Sequence, residues 1–141
     1  MSGEEAGIKL LTLEEANALL PQVQLSLKKL REDRSKIMKI QAKIEIEEMT
    51  GSDDKGNLSV EAQQAVTFLM QTFQAQTRTF EGDLEKLFKM GAQLKDLDGG
   101  LVDFYSRRGR ETVFLCWKEG EAEILHWHSL QGGFQNRQPL G

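Results

Sequence analysis

Apolar residues set the rhythm of the first two thirds of the chain. From Gln22 to about Met49, Val23, Leu27, Leu30, Ile37 and Ile44 fall three, four or seven residues apart, which keeps them on one stripe of a helix. Positions 34 and 41 in that series hold Arg34 and Gln41, so the stripe has polar breaks. A second run carries Val66, Leu69, Phe73, Phe80, Leu84 and Leu87 on its own stripe, with Ser59 as its N-cap, Glu61 in its first turn and Gly91 as its stop. Between the two runs, Gly51 fits a helix end and "GSDDKGN" predicts a polar turn. Upstream, Thr12 and Glu15 form a T-x-x-E capping box that opens a short helix over 13–20. Pro21 interrupts that helix or supplies the first turn of the next one.

Two helices of similar length joined by a short polar loop are expected to fold back as an antiparallel hairpin. With the turn near Lys55, facing residues have numbers summing to about 110. Ile37 then meets Phe73, Leu30 meets Phe80 and Val23 meets Leu87, while the polar breaks coincide at Arg34 and Gln76 and specify register. Each arm would be roughly 40 Å long, so its distal end is expected to project.

After Gly91 the period changes to two. "QLKDLDGG" reads as a short extended piece and a turn, and "LVDFYS", "ETVFLCW" and "EAEILHWH" as strands joined by "RRGR" and "KEGE". The end, "QGGFQNRQPLG", is loop-like. The expected fold class is α+β: a long antiparallel helical hairpin followed by a small antiparallel three- to four-stranded sheet. The expected organisation is a flexible tail over 1–10 and a single domain over 11–141, with the hairpin in 11–90 and the sheet and C-terminal loop in 91–141.

Composition narrows the function classes. A net charge of −4 and a pI near 5.3 argue against a general binder of nucleic acid or of anionic membranes, both of which need a basic excess. The start, "MSGEEAGIKLL", lacks the pattern of a signal peptide, and no apolar run approaches the ~20 residues of a membrane span. One cysteine forms no intrachain disulfide, so a cytoplasmic setting is expected.

The C-terminal run carries a resemblance. "KDLDGGLVDF", "GRETVFLCW", "GEAEILHWH" and "GGFQNRQPL", together with "LTLEEANALLPQV" upstream, resemble an uncharacterised prokaryotic family catalogued as domain of unknown function 2203. The resemblance spans Leu11 to Leu140, is specific in the C-terminal third and generic in the helices. Tyr105 stands where many members of the family have a proline after the Asp-Phe pair. The resemblance implies a small bacterial protein with a helical N-terminal part, and no activity, cofactor or catalytic residue.

Chemistry-bearing residues concentrate in "VFLCWKEGEAEILHWH", which holds the chain's only cysteine and both of its histidines. His126 and His128, at i and i+2 on a strand, share a face and offer two metal ligands. With "KEGE" as the turn, paired residues sum to about 239, which sets His128 opposite Glu111 and Cys116 opposite Glu123 on the other face. A metal site would then have to recruit Glu111, Asp103 or a helix residue, so no metal site and no cofactor is expected. Cys116, placed by the same register with Phe114, Leu125 and Trp127, reads as a buried inert thiol, and no catalytic residue is assigned.

Arg107, Arg108 and Arg110 cluster at a hairpin turn, and Arg137 follows a flexible "GGF". Arg110, Trp117, Glu121, His128 and Arg137 therefore form the candidate ligand-binding set, with arginine forks suited to anions and a tryptophan wall for stacking. The same residues read equally well as a buried network pinning the tail to the sheet. The preferred function is a non-enzymatic interaction or regulatory protein of the bacterial cytoplasm, binding a protein partner or itself as a homodimer through the helices. The alternative is a small ligand- or anion-binding module, or an enzyme, with its site on the C-terminal sheet.

Overall fold

The computed structural model describes residues 8–141. Most of the expected flexible tail, residues 1–7, lies outside the described residues. The order of elements is α1 (Leu13–Thr50), α2 (Val60–Lys89), β1 (Ala92–Asp96), β2 (Leu101–Arg108), β3 (Glu111–Lys118), β4 (His126–Ser129), a 3-10 turn (Phe134–Asn136) and β5 (Gln138–Pro139). The class is α+β, with two long helices packed as a hairpin before an antiparallel sheet. Its sheet has five strands in sequential order rather than three or four, because the C-terminal segment returns to add β5. Among the described residues, no helix is long and apolar enough to cross a membrane.

The capping signals behave as the residue types dictate. Thr12 N–H donates to Glu15 Oε1 at 2.8 Å, and Glu15 N–H donates to Thr12 Oγ1 at 3.0 Å. Ser59 Oγ accepts from Ala62 N–H at 3.1 Å. In the turn, Asp53 Oδ1 accepts the N–H groups of Lys55 and Asn57, both at 2.9 Å. Pro21 does not end the first helix, since α1 runs through it without a break and leaves it exposed.

The chain divides into two compact units, Lys29–Asp83 and the remainder. In the second of these, Ala16, Leu20, Val23 and Leu27 of α1 are buried, as is Leu87 of α2. Val102, Phe104, Val113, Leu115 and Trp117 of the sheet are buried as well and share one face by their pairing. Ser106, on that face, donates its hydroxyl to Leu11 O just ahead of α1.

Within Lys29–Asp83 the stripe follows 30, 33, 37, 40 and 44. Leu30, Asp33 and Ile40 are buried, whereas Arg34 is half-buried and Gln41 exposed. Asp33 is therefore the buried polar residue of the hairpin, in place of Arg34. Lys29 Nζ bridges it to α2, at 2.7 Å from Asp33 Oδ1 and 3.0 Å from Asp83 Oδ2. Asp33 Oδ2 is buried with no hydrogen-bond partner. Burial, then the Asp83 carboxylate, raises the Asp33 pKa above the usual carboxylate value, with Lys29 opposing.

A raised acid pKa means that the folded state holds this proton more tightly than the unfolded one. The contribution is complete below the unfolded value near 3.8 and is lost as pH rises through the folded value. Asp33→Asn keeps the shape without the charge. The variant is expected to gain stability relative to the parent between pH 4 and 7, measured by urea unfolding across about that range. A pH-independent difference between the two proteins would refute the assignment.

Candidate functional site

The register of β3 on β4 decides what shares a face. Val113 pairs with Ser129, Phe114 with His128, Leu115 with Trp127 and Cys116 with His126. The expected pairing sum of about 239 is thus off by three. An odd slip moves every side chain to the opposite face, so Cys116 lies on the same face as His126 and His128, and Trp117 lies on the other. The physical reason is that 119–125 is a loop committed elsewhere, not a tight "KEGE" turn. Lys118 N–H donates to Glu121 Oε1 at 2.9 Å, and Trp117 Nε1–H to Glu121 O at 2.9 Å. Ile124 N–H donates to Asn17 Oδ1 at 2.7 Å. The "EAEIL" stretch therefore has no place in the ladder, and β4 starts at His126.

β2 completes the group, because Asp103 pairs with Cys116 and so shares its face. Donor atoms of Asp103, Cys116 and His128 all lie within 4.8 Å of one another, and all three residues are buried. His128 Nε2 is 2.9 Å from Asp103 Oδ2, and His128 Nδ1 is 2.7 Å from Ser129 O. Both partners of the ring are acceptors. Two protons must therefore be distributed over the imidazole and the carboxyl group, whichever side holds the shared one. Burial raises the Asp103 carboxyl above its usual value, with His128 opposing. Burial, with Asp103 adding to it, pushes the Cys116 thiol up to about 12.

A cavity of about 240 Å³ opens onto this group and is lined by Lys95, Leu101, Phe114 and the 130–134 segment. Lys95 Nζ stands 4.8 Å over the Phe114 ring at its rim. A larger cleft of about 510 Å³ on the other face runs between Leu11, Val113, Leu115 and Trp127. Among the described residues, its titratable lining is Arg107 and Arg108, and the guanidinium of Arg108 stacks 4.7 Å over Trp127. Volume alone therefore points away from the chemistry.

The five candidate residues separate. Trp117, Glu121 and Arg137 come together, since Arg137 Nη2 donates to Glu121 Oε1 and Oε2 at 3.0 and 2.9 Å and reaches Cys116 O at 3.4 Å. The Arg137 guanidinium also stacks 4.7 Å over Phe134. His128 turns to Asp103 instead of to Arg137. Arg110 is exposed in the β2–β3 turn, roughly 20 Å along the strand from Cys116. Asp103, which from sequence stood only beside Glu111 as a residue that a metal site would have to recruit, is the direct partner of His128, and Asn17, which sets the loop, had no signal in the sequence. The signal for Asp103 was a charged residue between Val102 and Phe104 in an otherwise buried strand.

A helical hairpin followed by a meandering five-stranded sheet, with a buried Asp–Cys–His group on one sheet face, defines a small α+β protein. The chain matches the family described as "Uncharacterized conserved protein (DUF2203)" over residues 9–140, and it belongs to that family. No curated protein and no solved structure matches it.

Arg137 is largely sealed from water, and Glu121 is its ion-pair partner. Glu121→Ala leaves that guanidinium without it. We expect a loss of about 2 kcal/mol in denaturant unfolding. The Leu140 amide, which donates to Leu125 O at 2.9 Å, should exchange faster. An unchanged stability would count against the pinning role of this pair.

Proposed function

We propose that this chain is an interaction protein of the bacterial cytoplasm whose hairpin pairs with a second copy of itself. The observation that carries the reading is a stripe on α1, where Met38, Ala42, Ile46 and Met49 follow one another at four, four and three residues. Met38, Ile46 and Met49 are 60%, 56% and 79% exposed. Lone exposed apolar residues are ordinary, but a row of them along one face is a mark of association.

Charge favours a like copy over a foreign partner. Lys36, Lys39 and Lys43 precede the middle of the stripe, and Glu45 and Glu48 follow it. Two such helices laid antiparallel bring Met38 opposite Met49 and Lys39 opposite Glu48, the self-complementarity that a two-fold interface requires. The stripe is short, so the contact falls at the low end of interface sizes and implies a weak, concentration-dependent dimer. The cavity beside His128 favours the second reading, a ligand-binding module or enzyme on the sheet.

Light scattering after size exclusion, from about 1 to 500 µM, tests the first reading. The mass is expected to approach twice the 16.0 kDa of one chain as concentration rises. Ile46→Glu should weaken the dimer at least tenfold. Lys39→Glu or Glu48→Lys alone should weaken it less, and the two together should restore it. A strict monomer throughout, or a double swap no better than the singles, would sink the proposal.

A further inference from the structure

We infer that Asp103, Cys116 and His128 form a site for one divalent transition-metal ion of the zinc type, with a fourth coordination position open to the adjoining cavity. The donor set is the first ground. One carboxylate oxygen, one sulfur and one imidazole nitrogen, contributed by three neighbouring strands, are held within 4.8 Å of one another. Tetrahedral zinc with such ligands has donor–donor separations of roughly 3.3–3.7 Å, reached here by small side-chain rotations. Three protein ligands and one open position is the usual arrangement of reactive zinc sites.

The second ground is how the histidine is held. His128 Nδ1 is fixed on Ser129 O at 2.7 Å, which leaves Nε2 directed into the group. A ligating histidine commonly has its other nitrogen anchored on a backbone carbonyl or a carboxylate in this manner, and the anchor sets tautomer and ring direction.

Charge is the third ground. Without an ion, the group holds a neutral thiol and an Asp–His pair sharing a proton, and its net charge is zero. A bound Zn²⁺ replaces two protons, one from the Cys116 thiol and one from the Asp103–His128 hydrogen bond. The products are a thiolate, a carboxylate, a neutral imidazole with Nδ1–H kept on Ser129 O, and the dication. The net charge is again zero, so a buried site exchanges two protons for the ion without acquiring charge.

The fourth position faces the cavity of about 240 Å³, room for water or a small molecule. Lys95 at the rim adds positive charge there, so an anionic fourth ligand such as hydroxide or a small carboxylate is favoured over a neutral one.

The test is titration of the metal-free 141-residue chain with Co²⁺ at about pH 7.5, followed by optical absorption and by competition with Zn²⁺. A thiolate-to-cobalt charge-transfer band that saturates at one ion per chain is expected, and it reports Cys116 because the chain has no other cysteine. Zn²⁺ should abolish the band. At about 100 times its Kd, Zn²⁺ should raise the Tm by roughly 5 °C or more. His128→Gln, checked for folding by circular dichroism, should weaken Co²⁺ binding at least tenfold. Absence of the band in folded wild-type protein overturns the inference. So does Co²⁺ bound without the thiolate band, which would place the ion elsewhere on the chain. Should His128→Gln not fold, the wild-type band and its stoichiometry decide alone.

Discussion

The pairing of β3 with β4 sets Cys116 beside His126 and Phe114 beside His128, and the chemistry of the sheet depends on that register. The two strands are held in it by bonds made outside the ladder. Asn17 draws Ile124 toward the start of α1, while Glu121 folds back on Lys118 and Trp117. These contacts spend residues 119–125 as a loop. A pairing shifted by one residue would exchange the faces, putting His128 with the apolar residues around Leu115 and Trp127 against Asp103. The cost of stranding those polar groups among apolar ones disfavours any one-residue slip, while the bonds outside the ladder select among the pairings that remain.

Among the described residues two aspartates are buried, Asp33 and Asp103, and they are met differently. Asp33 in the hairpin is met by one lysine and by a second carboxylate, so one of its oxygens lacks a donor. Asp103 in the sheet is met by a histidine whose far side is itself anchored. The first arrangement ties α1 to α2 at one height and so resists sliding of one helix on the other, a role that buried polar residues take in coiled coils. The second holds three donor types in a fixed geometry beside a cavity.

The helices were largely legible because their signals are local. The capping box at Thr12, the N-cap at Ser59 and the period of the two stripes each depend on residues within a turn or two. Asp33 was hidden by the choice between two nearly equal spacings, since 30, 33 and 37 fit a helix as well as 30, 34 and 37. The site was legible only as a set of residue types. His128 and Cys116 stood out, but their faces hung on the length of one loop, and that length depends on a bond to Asn17, 107 residues away. Strand alternation fixes relative faces within a strand, whereas faces between strands need the register, which is a tertiary property.

Pro139 has a consequence for the sheet as a whole. It lies in the two-residue β5, on the outer edge, opposite His126. An edge strand normally presents N–H groups that another chain can pair with, and proline presents none. A strand of only two residues, half of it proline, gives an incoming strand almost nothing to align on. The C-terminal segment thus serves as a selvedge, finishing the fabric of the sheet so that it does not grow at that side.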